Sequence, residues 1–220
     1  MKKLLILGIA AAIACAAYAY PTLKGPSGLV LFPDATVVPA GQLQVAADWW
    51  YFESGEDATI PLRVLYGIGD QFEIGAAYTT MESSSQKVIG LNAKYVLPAS
   101  LGDAAWAVGA TYLMPDEGDN LLGLTLSGTK AFAENFSGTA TLVWQEDTTD
   151  LAFGLGGEAT FENDLKLVIE YVNFLPTAGL NMAARYPLTE ALTAQLGFEF
   201  DTSLPFIGLN YAIGGESDSY

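Results

Sequence analysis

From residue 41 to residue 214 the chain alternates, an apolar residue followed by a small or polar one, in runs of about ten residues separated by turn-forming clusters. The alternation predicts strands at 42–52, 59–68, 71–81, 87–97, 104–114, 121–130, 136–145, 151–161, 165–174, 179–187, 192–201 and 204–213. One phase is apolar, as in Leu43, Val45, Ala47, Trp49 and again in Ile207, Leu209, Tyr211, Ile213. The other is small or polar, as in Gln42, Gln44, Asp48 and in Gln195, Gly197, Glu199. A soluble β-sandwich would show the same alternation, so periodicity alone does not choose between a sandwich and a membrane barrel.

The aromatic positions choose. Tyr66, Tyr95, Trp106, Tyr186 and Tyr211 fall at strand ends that meet one set of turns, while Trp49, Tyr51, Tyr78, Tyr112, Trp144 and Tyr171 fall near the opposite ends. Strand middles carry Ala, Leu, Val, Ile and Gly. Two aromatic rings around an aliphatic band match two lipid–water interfaces, whereas a sandwich would bury its largest rings at mid-strand. Strands of about ten residues also have the length a tilted strand needs to cross the hydrocarbon layer. The expected fold is therefore all-β, an up-and-down antiparallel transmembrane barrel of about twelve strands in a bacterial outer membrane. An even strand number returns both ends of the barrel to one side, which is then periplasmic.

The first residues read as an export leader. Lys2 and Lys3 precede the apolar run from Leu4 to Ala14, and Ala17-Tyr18-Ala19 supplies the small residues a signal peptidase needs, so cleavage is expected after Ala19. Ala12-Ile13-Ala14-Cys15 opens a second route, in which cleavage leaves a lipid-modified Cys15. The expected organisation is a signal peptide at 1–19, a periplasmic or lumen-entering segment at 20–40, the barrel at 41–214 and a periplasmic tail at 215–220. Segment 20–40 holds Pro21, Pro26, Pro33 and Pro39 with Gly25 and Gly28, and has no strand pattern.

Composition agrees with a barrel and narrows the function. Half the residues are hydrophobic (51%), yet beyond the leader no run of 18 apolar residues occurs to make a spanning helix. The net charge is −16, and losing Lys2 and Lys3 would lower it by two more, which argues against nucleic acid as a partner. There is no histidine, and the one cysteine lies in the leader. No group then titrates near neutrality to serve as a base, so neither an enzyme, a cofactor nor a transition-metal site is expected.

The charges with most to say lie on the inward phase: Asp48, Glu73, Glu158, Glu170, Glu199 and Asp201, facing Arg63, Lys94, Lys166 and Arg185. They read in two ways, as the walls of a water-filled channel for small solutes with a mild cation preference, or as a salt-bridged lumen in a non-conducting structural or surface-interaction barrel. The loops predicted to face outward are acidic. Asp116-Glu117-Gly118-Asp119-Asn120 offers oxygen ligands and a bend for a divalent cation without the full calcium-loop pattern; the alternative is a solvated acidic rim.

Two stretches carry resemblances. The closing run Gly208-Leu209-Asn210-Tyr211-Ala212-Ile213 resembles the signal by which outer-membrane barrels engage their assembly machinery, so Gly208, Tyr211 and Ile213 are expected to make that contact. It departs from the pattern in being followed by 214–220. Gly25-Pro26-Ser27-Gly28-Leu29, with Pro33-Asp34-Ala35 and Pro39-Ala40-Gly41, resembles the opening of exopolysaccharide-associated outer-membrane proteins, over these residues alone. Those proteins are much longer, and their function is not carried over. Resemblance to porin-like outer-membrane barrels extends over the whole of the chain after the leader.

Overall fold

A computed structural model describes residues 20–22, 25–51, 58–81, 86–98, 100, 102–146, 151–174, 177–200 and 204–214. The alternating runs form twelve strands: β1 (Gln42–Tyr51), β2 (Ala58–Ile68), β3 (Phe72–Met81), β4 (Lys87–Val96), β5 (Ala105–Pro115), β6 (Leu121–Ala133), β7 (Phe136–Gln145), β8 (Ala152–Thr160), β9 (Lys166–Phe174), β10 (Thr177–Pro187), β11 (Leu192–Glu199) and β12 (Leu204–Gly214). Each pairs antiparallel with its neighbours in sequence, and β1 pairs with β12 from Gln42↔Gly214 to Trp50↔Phe206, so the sheet closes without an edge. Closure matters in lipid, where an unpaired strand edge would leave its backbone groups without partners.

Strand number and phases agree with the alternation, and the ends differ by no more than three residues. β6 runs to Ala133, past the expected end at 130, through an irregularity between Ala131 and Ala133. Within β2, Pro61 has no amide hydrogen to give. The β1–β2 ladder accordingly runs from Leu43↔Tyr66 to Ala47↔Leu62 and resumes only at Trp50↔Thr59. The end of the barrel where the chain enters β1 and leaves β12 is called proximal below. It carries tight turns such as Gly69-Asp70-Gln71, where Gly69 takes a φ of 63° that favours glycine.

The inside and outside of this protein are reversed relative to a soluble one. Leu91, Leu155, Leu196 and Ile207 are 50–61% exposed on the outer wall, while Arg63, Lys94, Glu73 and Glu170 are at most 1% exposed within. A continuous belt of this kind is stable only against hydrocarbon. The girdle residues Trp49, Tyr66, Tyr78, Tyr95, Tyr112, Trp144, Tyr171, Tyr186 and Tyr211 stand on that outer surface, Trp106 lies across Gly128 at 3.1–3.2 Å from the place a Cβ would occupy, and the Tyr51 side chain is outside the described residues.

Candidate functional site

The inward face departs from expectation in two respects. It is not uniformly small or polar: Trp50, Leu65, Val143, Val168, Val172 and Phe206 all point inward and are buried. Nor does it surround an open bore, because residues of the 20–40 segment occupy the lumen. They enter from Gly41, where Ala40 bridges Gly67 in parallel and the Gly41 amide donates to the Gly67 carbonyl at 3.0 Å. A Cβ on Gly67 would collide with the Val38 and Pro39 carbonyl oxygens, so β2 needs glycine where the segment passes it.

A buried segment without a strand partner must place its amides and carbonyls elsewhere. Some close on themselves: the Gly28 amide donates to the Tyr20 carbonyl (2.9 Å), Leu29 to Phe32 (3.0 Å) and Thr22 to Pro26 (2.7 Å). Its prolines have no amide to satisfy. Most of the remainder go to charged wall side chains. Glu170 on β9 accepts from three successive amides, Val30 and Leu31 on Oε2 (2.7 and 2.9 Å) and Phe32 on Oε1 (3.2 Å). Glu73 on β3 accepts from the amides of Ser27 (2.8 Å) and Val38 (2.9 Å) and from the Ser27 hydroxyl (2.8 Å).

The cations take the carbonyls. Arg63 donates to Pro21 and Thr22 (3.4 and 3.1 Å), and Lys94 donates to Ser27 (2.6 Å). Arg185 reaches Gly28 at 3.1 Å and also donates to the Leu29 carbonyl at 2.5 Å. Its guanidinium lies 4.4 Å from the Tyr20 ring centroid, a cation–π arrangement. Ser127 and Thr141 both donate to the Pro33 carbonyl (2.8 and 2.7 Å), and Thr129 accepts from the Ala35 amide (2.9 Å).

The same charges also pair with one another. Arg63 forms an ion pair with Asp48, Lys94 with Glu73 (3.4 Å) and Asp34 (3.6 Å), and Glu158 with Lys166 (2.8 Å) and Arg185 (3.6 Å). Such pairing offsets the large cost of burying ions. Glu199 occupies the inward phase of β11 opposite Asn181, and Asp201 lies outside the described residues.

Apolar contacts finish the packing. Leu29 and Val30 join Trp50, Val168, Ala183 and Phe206 in one cluster, with Trp50 stacked on Phe206 at a centroid distance of 4.1 Å. Phe32 packs with Val143 and Val172. Two pockets of about 40 Å³ lie to either side of this cluster, each with room for a few waters. The proximal one is lined by Tyr20, Gln44, Lys166, Thr193 and Asn210, the distal one by Leu31, Thr111, Thr125 and Gln145. In sequence the signal for this cluster is small but present: Trp49-Trp50 puts adjacent rings on opposite faces, so one must point inward.

The acidic hairpin tip does not form a ligand set. Asp116 Oδ1 accepts from the Lys87 amide at 2.9 Å, and Asn120 donates to the Tyr112 hydroxyl at 2.9 Å, so two of the four expected oxygen-bearing residues hold the β5–β6 connection in place. Glu117 and Asp119 are exposed beside them, and among the described residues no three acidic side chains converge as metal ligands.

Three solved structures share this architecture. The KdgM porin superposes with a TM-score of 0.68 at 11% identity, covering 78% of this chain and 99% of its own. The NanC porin gives 0.60 at 10%, covering 76% and 98%, and the Acinetobacter baumannii outer membrane protein Omp33 gives 0.58 at 13%, covering 79% and 97%. The fold is that of an outer-membrane porin barrel of twelve strands. The sequence matches no family model and no curated protein.

The close fit of this barrel around its segment yields a direct prediction. A Cβ on Gly28 would lie 2.6 Å from Pro33 Cα and 2.7 Å from the Asp34 nitrogen, both backbone atoms of the same segment. Gly28→Val should therefore unseat 20–40 while leaving the strands paired. Limited proteolysis of the detergent-solubilised barrel should cut near residues 25–35 in the variant and leave the parent intact. Equal resistance in both would show that the segment tolerates the side chain.

Proposed function

We propose that this protein is an outer-membrane channel for small solutes held shut by its own N-terminal segment, with a mild preference for cations when open. One observation carries the reading: a length of chain that precedes the first strand lies inside the lumen and packs against the wall's inward side chains. Two wall positions where that segment packs are glycine, Gly154 beneath Phe32 and Gly156 beneath Leu29, and a Cβ at either would collide with the segment. Twelve strands spaced about 4.8 Å apart and tilted about 40° put opposite backbones roughly 24 Å apart, which leaves roughly 10 Å clear once wall side chains are allowed for. Without the segment, that space would hold water.

Charge supports the selectivity. Among the described inward residues, five acids (Asp48, Glu73, Glu158, Glu170 and Glu199) face four bases (Arg63, Lys94, Lys166 and Arg185), and the distal rim adds Asp116, Glu117, Asp119 and Glu146. An acidic mouth concentrates cations. In a barrel opened by deleting 20–39, cation preference should fall as salt rises from 0.1 to 1 M, since the screening length shrinks from about 10 Å to about 3 Å. Glu158→Gln with Glu199→Gln should lower it further. Reversal potentials across a salt gradient measure both effects, and anion selectivity would refute the assignment.

A second reading, a permanently closed structural barrel, is favoured by the ion pairs and by the apolar cluster between segment and wall, which resembles a core more than a gate. Planar-bilayer recording separates the two. If the deleted barrel carries no current, the channel reading fails and the structural one replaces it.

A further inference from the structure

The wall charges recognise the segment in an unusual way. Glu170, Glu73, Arg63, Lys94 and Arg185 bind main-chain atoms at residues 21, 22, 27–32 and 38, and among the described residues they also engage the side chains of Tyr20, Ser27 and Asp34. Acids meet amides and bases meet carbonyls. Such a surface is matched to a peptide backbone, and main-chain groups are the same whatever residues a peptide carries. From Ser27 to Phe32 the demand is nearly unbroken: the Ser27 amide and carbonyl, the Gly28 and Leu29 carbonyls, then the amides of Val30, Leu31 and Phe32.

An independent observation points the same way. Asn181, on β10, is fully buried, and neither its amide nitrogen nor its amide oxygen has a hydrogen-bond partner among the described residues. It stands beside Glu170 in the β9–β10 ladder, at the level where three successive amides are bound. Asn92, buried on β4 and facing Gly25, is in the same position. A side-chain amide carries N–H donors and a carbonyl acceptor on one planar group, so it can meet both polar groups of a peptide unit.

Resting on the channel reading above, we infer that the lumen is a binding site for the main chain of short peptides in a turn-rich conformation and that residues 20–40 are its resident ligand. The solute class of the open channel is then short peptides. Vacating the site would leave five charged side chains with incomplete partners in a narrow bore, and a peptide restores those contacts where a sugar or simple salt restores only some. Recognition through main-chain atoms makes the site indifferent to peptide sequence but sensitive to the number of peptide units.

The test uses the full chain with a protease site inserted between Ala40 and Gly41, folded first and then cleaved, so that the segment is free to leave. Heat-modifiable gel migration checks that the barrel stays folded. Current through the cleaved barrel is recorded with end-blocked hexa-alanine and, separately, with maltohexaose. Peptide should interrupt the current at concentrations at least tenfold below the sugar, and Glu170→Ala in the same background should shorten the interruptions about tenfold. Equal block by sugar and peptide, or none by either while current flows, overturns the inference and leaves the channel intact. If no current flows either through the cleaved barrel or through the barrel lacking 20–39, the channel reading fails, and anisotropy of a dye-labelled 20–39 peptide added to the barrel lacking 20–39 then decides the site. Displacement of that peptide by hexa-alanine but not by maltohexaose upholds peptide recognition, and its absence overturns it.

Discussion

Deletion of residues 20–39 is expected to turn a barrel with little or no current into one that conducts continuously. In the intact protein Leu29, Val30, Trp50, Val168, Ala183 and Phe206 pack against one another inside the lumen, all at most 5% exposed, which leaves no place between them for a hydrated ion. Two of those six belong to the segment. Removing them leaves Trp50 and Phe206 projecting from adjacent strands into a bore roughly 10 Å wide, enough for several water molecules abreast. Conductance should rise on the order of tenfold or more, with Trp50→Ala raising it again in the deleted form. The measurement is single-channel current of the purified protein before and after deletion, with gel migration confirming a folded barrel. Comparable open conductance in the intact chain would show that the segment does not close the lumen.

The second large effect is expected on the opposite face. Leu91 sits mid-strand in β4, half exposed on the outer wall between Ala76 and Tyr112 of the neighbouring strands. Leu91→Arg puts a charge near mid-membrane and should cost about 2–4 kcal/mol, whereas Ile68→Arg, at the proximal end of β2, should cost about 0–1 kcal/mol. Urea titration of the barrel in phospholipid vesicles gives both numbers. Equal costs at the two depths would mean that the apolar belt is not a lipid face. The inward neighbour Asn92 is a poor control, because the place a Gly25 Cβ would occupy lies within 3.3 Å of its side chain and an arginine there would disturb the segment as well as the wall.

Strand phase was legible in the sequence because lipid imposes a rule on every second residue: Leu62, Val64 and Tyr66 must face hydrocarbon, so Arg63 and Leu65 must not. The inward placement of Glu73, Lys94, Glu170 and Arg185 followed from that rule. What they would touch did not follow. Their partners are largely main-chain atoms, which every residue possesses, in a segment with no periodicity to align against the wall. Trp50 and Phe206 were obscure for a related reason. A lumen expected to hold water gives no cause to place large rings inside, and only the apolar pair Leu29 and Val30 explains them. β6 continues past the expected end at 130, through its irregularity, to Ala133, and nothing in the alternation marks that extension.

A cylinder built only from nearest-neighbour ladders transmits force around its circumference and has nothing across its diameter. Here Glu73 on β3 and Glu170 on β9 both grip residues 27–38, and Arg63 on β2 and Arg185 on β10 grip residues 21–29, so the internal segment acts as a cross-brace between walls six strands apart in the first case and four in the second. The barrel's roundness and its occlusion are thus set by the same bonds. Any process that withdraws the segment slackens the hoop as it clears the bore, and the ion pairs remaining on each side, Asp48 with Arg63 and Glu158 with Lys166, join near neighbours without spanning the gap.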